Sequence, residues 1–114
     1  MMIRIFLSLI MALSAYSAQK SQDIEIPRTA YKDIYKYYLL EVGKQATVNY
    51  VVLRRQSFDT ILYIKAEINC PSRYFRQIGY NAKSARNIPA NNLTEWYQPA
   101  IGTIESDIVS YVCR

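Results

Sequence analysis

The clearest pattern in the chain is a strict alternation of apolar and polar residues from Ile61 to Cys70. One side of this alternation carries Leu62, Ile64, Ala66, Ile68 and Cys70. The other side carries Tyr63, Lys65, Glu67 and Asn69. A period of two residues is typical of a β-strand with one face in the core and one face in water. The sequence therefore predicts a central strand here, with Cys70 on the core side.

Segments on both sides of this strand predict further strands. Residues 46–55 are rich in β-branched and aromatic side chains, which favour pleated, half-buried surfaces. Residues 73–80 resume an extended pattern, with Tyr74, Ile78 and Tyr80 expected on one side. Three neighbouring strands joined by short connections predict an antiparallel sheet.

The segment that precedes these strands has two interpretations. Residues 31–41 fit a helical stripe of apolar positions, whereas the aromatic run within them fits a strand equally well. We favour a strand over residues 35–41, followed by a turn at residues 42–45. Residues 56–60 form a loop of hairpin length, and residues 81–95 form a long polar loop.

The end of the chain predicts a helix. Thr103 is a suitable N-cap, and Glu105 and Asp107 fall in the first turns, where negative charge complements the helix dipole. The apolar side chains that share one helical face are Ile104, Ile108, Tyr111 and Val112. So short a helix is marginal on its own in water, so we expect packing or a covalent link to stabilise it.

The N-terminal part predicts a secretory signal peptide over residues 1–18. Arg4 precedes an apolar run of about nine residues, and small residues follow it. A membrane-spanning helix needs about 20 apolar residues, so we expect no transmembrane segment. Residues 19–30 are expected to form an exposed lead-in, and residues 31–114 a single small domain. No cysteine follows the leader, so we expect no lipid anchor and an exported protein, either periplasmic or secreted to the cell surface.

Charge and composition narrow the classes of function. The chain has 14 Lys and Arg residues against 9 Asp and Glu residues, and it has no histidine. Loss of Arg4 with the leader leaves a net charge of +4. That excess suits acidic partners but is low for a nucleic-acid-binding protein, and export also argues against nucleic acid. Without histidine no Ser-His or Cys-His nucleophile can form, and no metal-ligand spacing is present. We expect no enzyme and no catalytic, cofactor or metal site.

The two cysteines, Cys70 and Cys113, predict one disulfide bond. An even number of cysteines in an exported protein usually forms disulfides, and two free thiols are the alternative. Cys70 lies on the predicted core side of a strand and Cys113 ends the predicted helix, so the bond would join the two elements. The predicted fold class is α+β: an antiparallel β-sheet covered by one C-terminal helix and pinned by a single disulfide.

Basic residues cluster between Arg54 and Arg86, where seven cations face only Asp59 and Glu67. Tyrosines interleaved with them predict an amphipathic surface for an acidic protein or glycan. The alternative is a solvated sheet face whose charges protect the edge strands from aggregation. The candidate partner-binding residues are Arg54, Arg55, Lys65, Arg73 and Arg76.

Two stretches of the chain carry a family resemblance. Residues 65–76 (KAEINCPSRYFR) and residues 96–113 (WYQPAIGTIESDIVSYVC) resemble the central strand and the terminal helix of the surface-adhesin protein E-like family of Gram-negative bacteria. The resemblance extends more loosely over residues 35–114. It implies an antiparallel sheet, a C-terminal helix and a Cys70–Cys113 disulfide. It also implies an adhesin that binds host matrix and plasma proteins such as vitronectin, laminin and plasminogen.

These observations together predict an exported, non-enzymatic envelope protein that binds another macromolecule in the manner of an adhesin. The expected partners are a protein or an acidic glycan, including host matrix proteins, and a homodimer is left open. The alternative function is that of a periplasmic inhibitor of the lysozyme-inhibitor type, or of an accessory component in a secretion or conjugation assembly.

Overall fold

The computed structural model of the chain describes residues 23–30 and 34–114. The predicted signal peptide and the start of the lead-in lie outside the described residues, as do residues 31–33. The described elements are β1 Ile24–Glu25, β2 Lys36–Gln45, β3 Val48–Gln56, β4 Ile61–Asn69, β5 Tyr74–Asn81 and α1 Ile104–Val112. The strands form one antiparallel sheet in the order β1-β2-β3-β4-β5. The predicted antiparallel sheet, C-terminal helix and single disulfide are all confirmed.

The two faces of the sheet differ as the alternation in β4 predicts. The inner face carries Leu39, Val51, Leu53, Ala66, Ile68 and Phe75, all at most 5% exposed. The outer face carries the side chains paired across the other rows of the ladder: Tyr38, Arg54 and Tyr63 in one row, Val52 and Lys65 in the next, then Tyr50, Glu67 and Arg76. Directly opposed residues of an antiparallel ladder share a face, which fixes this assignment.

Strand β2 is longer than predicted. Residues 42–45, expected to turn the chain, continue the ladder to the Gln45–Val48 pair, and Ala46 and Thr47 make the turn instead. A bulge at Leu40 adds one residue to β2. The alternation of exposed and buried positions shifts at this bulge, and the sequence pattern therefore predicts that the strand ends there.

A second bulge changes the faces of β5. Lys65 pairs with Gly79 and Ala66 with Gln77, so Ile78 is the extra residue. Tyr80 therefore pairs with Ile64 on the inner side, whereas Tyr74 lies on the outer side. The prediction that Tyr74, Ile78 and Tyr80 share a side is wrong, because it assumed an unbroken period of two. Phe75 takes the core position.

The lead-in is part of the fold where the structure describes it. Ile24–Glu25 pairs with Leu39 and Tyr38 of β2, and the Ile26 amide donates to the Tyr37 carbonyl at 2.8 Å. Ile26 is 2% exposed and belongs to the core, whereas its neighbours Glu25 and Pro27 are exposed, so Ile26 anchors the segment to the fold. Two apolar residues at alternating positions are too short a pattern for sequence analysis to separate from a loop.

The helix begins at the predicted N-cap. The Thr103 hydroxyl accepts a hydrogen bond from the Ser106 amide at 3.2 Å, which satisfies one free N–H of the first turn. Ile108 and Val109 are each 2% exposed and join the core cluster with the inner-face residues. That the helix covers the sheet stays a prediction. No helix among the described residues is long and apolar enough to cross a membrane.

Asp107 is a buried charge that ties the helix to the lead-in. Its carboxylate accepts hydrogen bonds from Arg28 Nε at 2.8 Å, from the Thr29 hydroxyl at 2.7 Å and from the Thr29 amide at 3.2 Å. Burial raises the pKa of this carboxyl, but the hydrogen bonds from Thr29 and Arg28 outweigh burial and hold the pKa below its ordinary value. The ion pair therefore persists to acidic pH.

We expect the Cys70–Cys113 disulfide to contribute about 4 kcal/mol to the free energy of unfolding, because it closes a long loop in the unfolded chain. The two cysteines are 43 residues apart in sequence, with Cα atoms 5.5 Å apart. Urea unfolding of the Cys70→Ser/Cys113→Ser variant should show this loss. Reductant should destabilise the parent protein and leave the variant unchanged; equal sensitivity of both would contradict the disulfide's role.

We expect Asp107→Asn to lower the free energy of unfolding by about 3 kcal/mol at neutral pH, because it leaves the Arg28 charge buried without its carboxylate. A group whose pKa is depressed on folding stabilises the fold above its unfolded pKa, and that contribution disappears as pH falls through the folded pKa. The parent should thus lose stability below about pH 4 more steeply than the variant. Parallel stability curves from neutral to acidic pH would contradict this assignment.

Candidate functional site: a basic groove on the outer face

The long loop that follows β5 covers both the free edge of that strand and part of the outer face. Along the edge, the Thr94 amide donates to the Gln77 carbonyl at 3.0 Å, and Phe75 and Tyr97 exchange two backbone hydrogen bonds at 2.8 and 3.0 Å. Asn91 completes this edge, since its side chain accepts from the Tyr80 amide at 3.0 Å and donates to the Tyr80 carbonyl at 3.2 Å. The polar loop is therefore held along most of β5.

Gly79 determines how closely the loop approaches the outer face. It is buried in β5, and a Cβ atom there would collide with the backbone carbonyl of Pro89. Glycine in a strand interior often marks such a close approach of backbone to backbone. The loop consequently rests on the sheet at this point, and the residues before Pro89 lie over the outer face.

Between the loop and the outer face lies a groove that we call the basic groove. It consists of two adjoining cavities of about 540 and 490 Å³ that share Glu41, Val52, Ala85 and Arg86 as lining residues. The polar side chains that line it are Asp23, Glu41, Tyr50, Arg54, Tyr63, Lys65, Lys83, Ser84, Arg86 and Asn87. Val52, 5% exposed, forms an apolar floor.

Three cations of the groove make no ion pair with any residue that the structure describes: Lys65, Lys83 and Arg86. The Lys65 ammonium lies 5.6 Å from the centre of the Tyr50 ring, which orients it without neutralising it. The fourth cation, Arg54, is paired with Asp23 at 2.7 Å and stacks on Tyr38 at 4.5 Å.

Glu41 is the carboxylate closest to the middle of the groove. It accepts a hydrogen bond from the Tyr50 hydroxyl at 2.9 Å. This hydrogen bond, together with burial and the negative charge of Glu41, raises the pKa of Tyr50, so the phenol stays neutral. The Tyr50 ring in turn covers Gly43, whose missing side chain leaves room for it. The groove thus retains more positive than negative charge.

The predicted binding residues do not form one surface. Arg54, Lys65 and Arg76 share the outer face, but Arg55 lies on the opposite face, because adjacent residues of a strand point to opposite sides. Arg55 stacks on Tyr35 at 4.4 Å. Arg73 lies in the turn after β4 and donates to the Ser110 hydroxyl at 2.9 Å. Whether any of them binds a partner stays a prediction.

The outer-face arginines are already engaged within the molecule. Arg76 contacts Glu67 at 2.9 Å and stacks on Trp96 at 4.7 Å. With Arg54 held by Asp23, only Lys65 of the five predicted residues remains available inside the groove. Sequence analysis did not select Lys83 and Arg86, because their position depends on the contact at Gly79. The signal in the sequence for this contact is Gly79, a lone glycine inside a strand pattern.

Among residues 23–30 and 34–114, no group of three or more His, Cys, Asp or Glu side chains is arranged to hold a metal ion. Both cysteines are in the disulfide. The arrangement is suited to non-covalent attraction of negative charge.

Comparison with known protein families, characterised proteins and solved structures found no match to this chain. The resemblance to the surface-adhesin protein E-like family therefore stays a hypothesis from the sequence pattern. The function of the basic groove therefore has to be inferred from the residues that line it.

We expect Gly79→Ala to be more destabilising than Gly43→Ala, by about 1–3 kcal/mol in the free energy of unfolding. The methyl group at position 79 meets the Pro89 backbone, which must shift, whereas at position 43 it meets the Tyr50 ring, which can rotate. Denaturant unfolding measures the difference. Hydrogen exchange of the Asn92 and Thr94 amides should also accelerate in Gly79→Ala alone. Equal losses in both variants would contradict the close approach.

Proposed function

We propose that this chain is an exported, non-enzymatic envelope protein that binds an acidic macromolecule in the basic groove. The observation that carries the proposal is a concave surface lined by three cations that pair with no carboxylate of the described residues: Lys65, Lys83 and Arg86. Acidic glycans and acidic protein segments both present the negative groups that such a groove attracts.

The strength expected of this interaction is moderate. Each exposed charge contact contributes about 1 kcal/mol or less and is screened by salt. Binding therefore needs the three cations to act together, and a groove allows this because one ligand can contact all of them. The apolar floor at Val52 and the ring of Tyr50 add contact area that salt does not screen.

The adhesin-like part of the proposal rests on the resemblance of residues 65–76 and 96–113 to the surface-adhesin protein E-like family, and the exported location rests on the pattern of residues 1–18. The same proposal includes α1 as the cover of the inner face. The location of Ile108 and Val109 in the core cluster supports that packing.

We expect Lys65→Glu/Arg86→Glu to weaken binding of a heparin oligosaccharide or of polyglutamate by at least about tenfold at low salt, since two favourable contacts become repulsive. Titration calorimetry measures both ligands. The matched control is Lys44→Glu/Arg114→Glu, which changes the net charge equally at cations outside the groove.

The control should retain binding close to that of the parent. Equal weakening by the two double variants would mean that net charge alone attracts the ligand, and the groove would be excluded as the site. A preference for the oligosaccharide over polyglutamate would favour a glycan partner, and the reverse preference would favour a protein.

A further inference from the structure

One end of the sheet exposes three large apolar side chains that the fold does not use. Phe58 is 101% exposed, Ile34 is 76% exposed and Ile61 is 43% exposed. Ile61 pairs with Gln56, which also pairs with Lys36. Ile34 precedes Lys36 by two residues and Phe58 follows Gln56 by two, so both lie just beyond the last pairs of the ladder. We call Ile34, Phe58 and Ile61 the apolar tip.

The turn that carries Phe58 does not need an aromatic residue. The Ser57 amide donates to the Thr60 carbonyl at 3.0 Å, and the two hydroxyls of these residues are 2.6 Å apart. The Ser57 hydroxyl also donates to Asp59 at 3.5 Å. Such turns favour glycine, proline and small polar residues for their backbone conformations. A fully exposed Phe58 adds nothing to this turn, so its presence calls for a role outside folding.

Behind the tip lies a belt of tyrosines and cations: Tyr35, Lys36, Tyr38, Arg54, Arg55 and Tyr63. The ladder places Tyr38, Arg54 and Tyr63 in one row on the outer face. On the inner side Arg55 stacks on Tyr35 at 4.4 Å. Ile34 and Phe58 lie beyond the last pairs, and Lys36 shares the row of Ile61, so the apolar end passes into aromatic and basic side chains going inward.

That order matches the layers of a lipid bilayer. Tyrosine favours the membrane–water interface because its ring is apolar and its hydroxyl is polar. Lysine and arginine place their charged ends among the headgroup phosphates while their stems stay in the apolar layer. A fluid bilayer can surround exposed apolar side chains without a preformed pocket.

We propose that the apolar tip inserts into the interface of a lipid bilayer, with the belt at the level of the headgroups. The local charge is balanced, because Lys36, Arg54 and Arg55 are matched by Asp23, Glu25 and Asp59, and Glu25 pairs with Tyr38 in the ladder. Apolar insertion therefore supplies the attraction, and we expect anionic lipid to change it little. This surface lies outside the basic groove, and the proposal does not rest on binding there.

The test is co-sedimentation with vesicles of equimolar phosphatidylcholine and phosphatidylglycerol and with vesicles of phosphatidylcholine alone. Phe58→Ser should lower the partition coefficient by about tenfold to a hundredfold, because a buried phenylalanine is lost. The matched control is Leu93→Ser, which removes an apolar side chain that is 59% exposed in the long loop. All variants keep the full chain, so any contribution of residues 1–22 is common to them.

A second measurement locates the inserted residue. Phe58→Trp in a Trp96→Phe background places a single tryptophan at the tip, and this tryptophan can be excited selectively beside the tyrosines. Vesicles should shift its emission to the blue, and lipids brominated on the acyl chains should quench it. An unshifted and unquenched reporter would overturn the proposal. So would vesicle binding that falls in Lys65→Glu/Arg86→Glu and not in Phe58→Ser, because the groove would then be the membrane contact.

Discussion

The fold depends on a nine-residue helix that is held at both ends. At its first turn Asp107 accepts three hydrogen bonds from Arg28 and Thr29, and after its last turn Cys113 is bonded to Cys70 at the end of β4. So short a helix would be marginal alone in water. Fixing both ends keeps Ile108 and Val109 in the core cluster.

The same contacts explain why the lead-in is ordered where the structure describes it. Arg28 and Thr29 bring the segment to the helix, while Ile24 and Ile26 bring it to β2 and the core. A domain of this size buries a smaller fraction of its surface than a larger domain does, so each such connection is a large share of net stability. Solvent and salt screen this ion pair little, because the side chains of both partners are almost fully buried, 11% and 2% exposed.

The outer face separates into surfaces with different chemistry because of one close contact. Gly79 lets the loop backbone rest on the sheet, and the loop then brings Lys83 and Arg86 over Val52 and Lys65. Farther from Gly79, on the side of the apolar tip, the paired strands carry tyrosines and arginines. The basic groove brings cations together and the apolar tip brings exposed apolar side chains together, so these two surfaces differ in chemistry.

The sequence alone determined the elements whose pattern is local. The alternation in β4 predicted the sheet, and the N-cap at Thr103 predicted the start of the helix. Two cysteines can form only one disulfide, so the pair predicted the bond. Only the tertiary structure decided the faces of β5, the use of Ile26 in the core and the pairing of Arg54 with Asp23. A bulge reverses every side chain beyond it, and the partners that bury or neutralise a residue lie far along the chain. The basic groove belongs to this second class, because its cations are assembled by a loop whose position depends on the space left at Gly79.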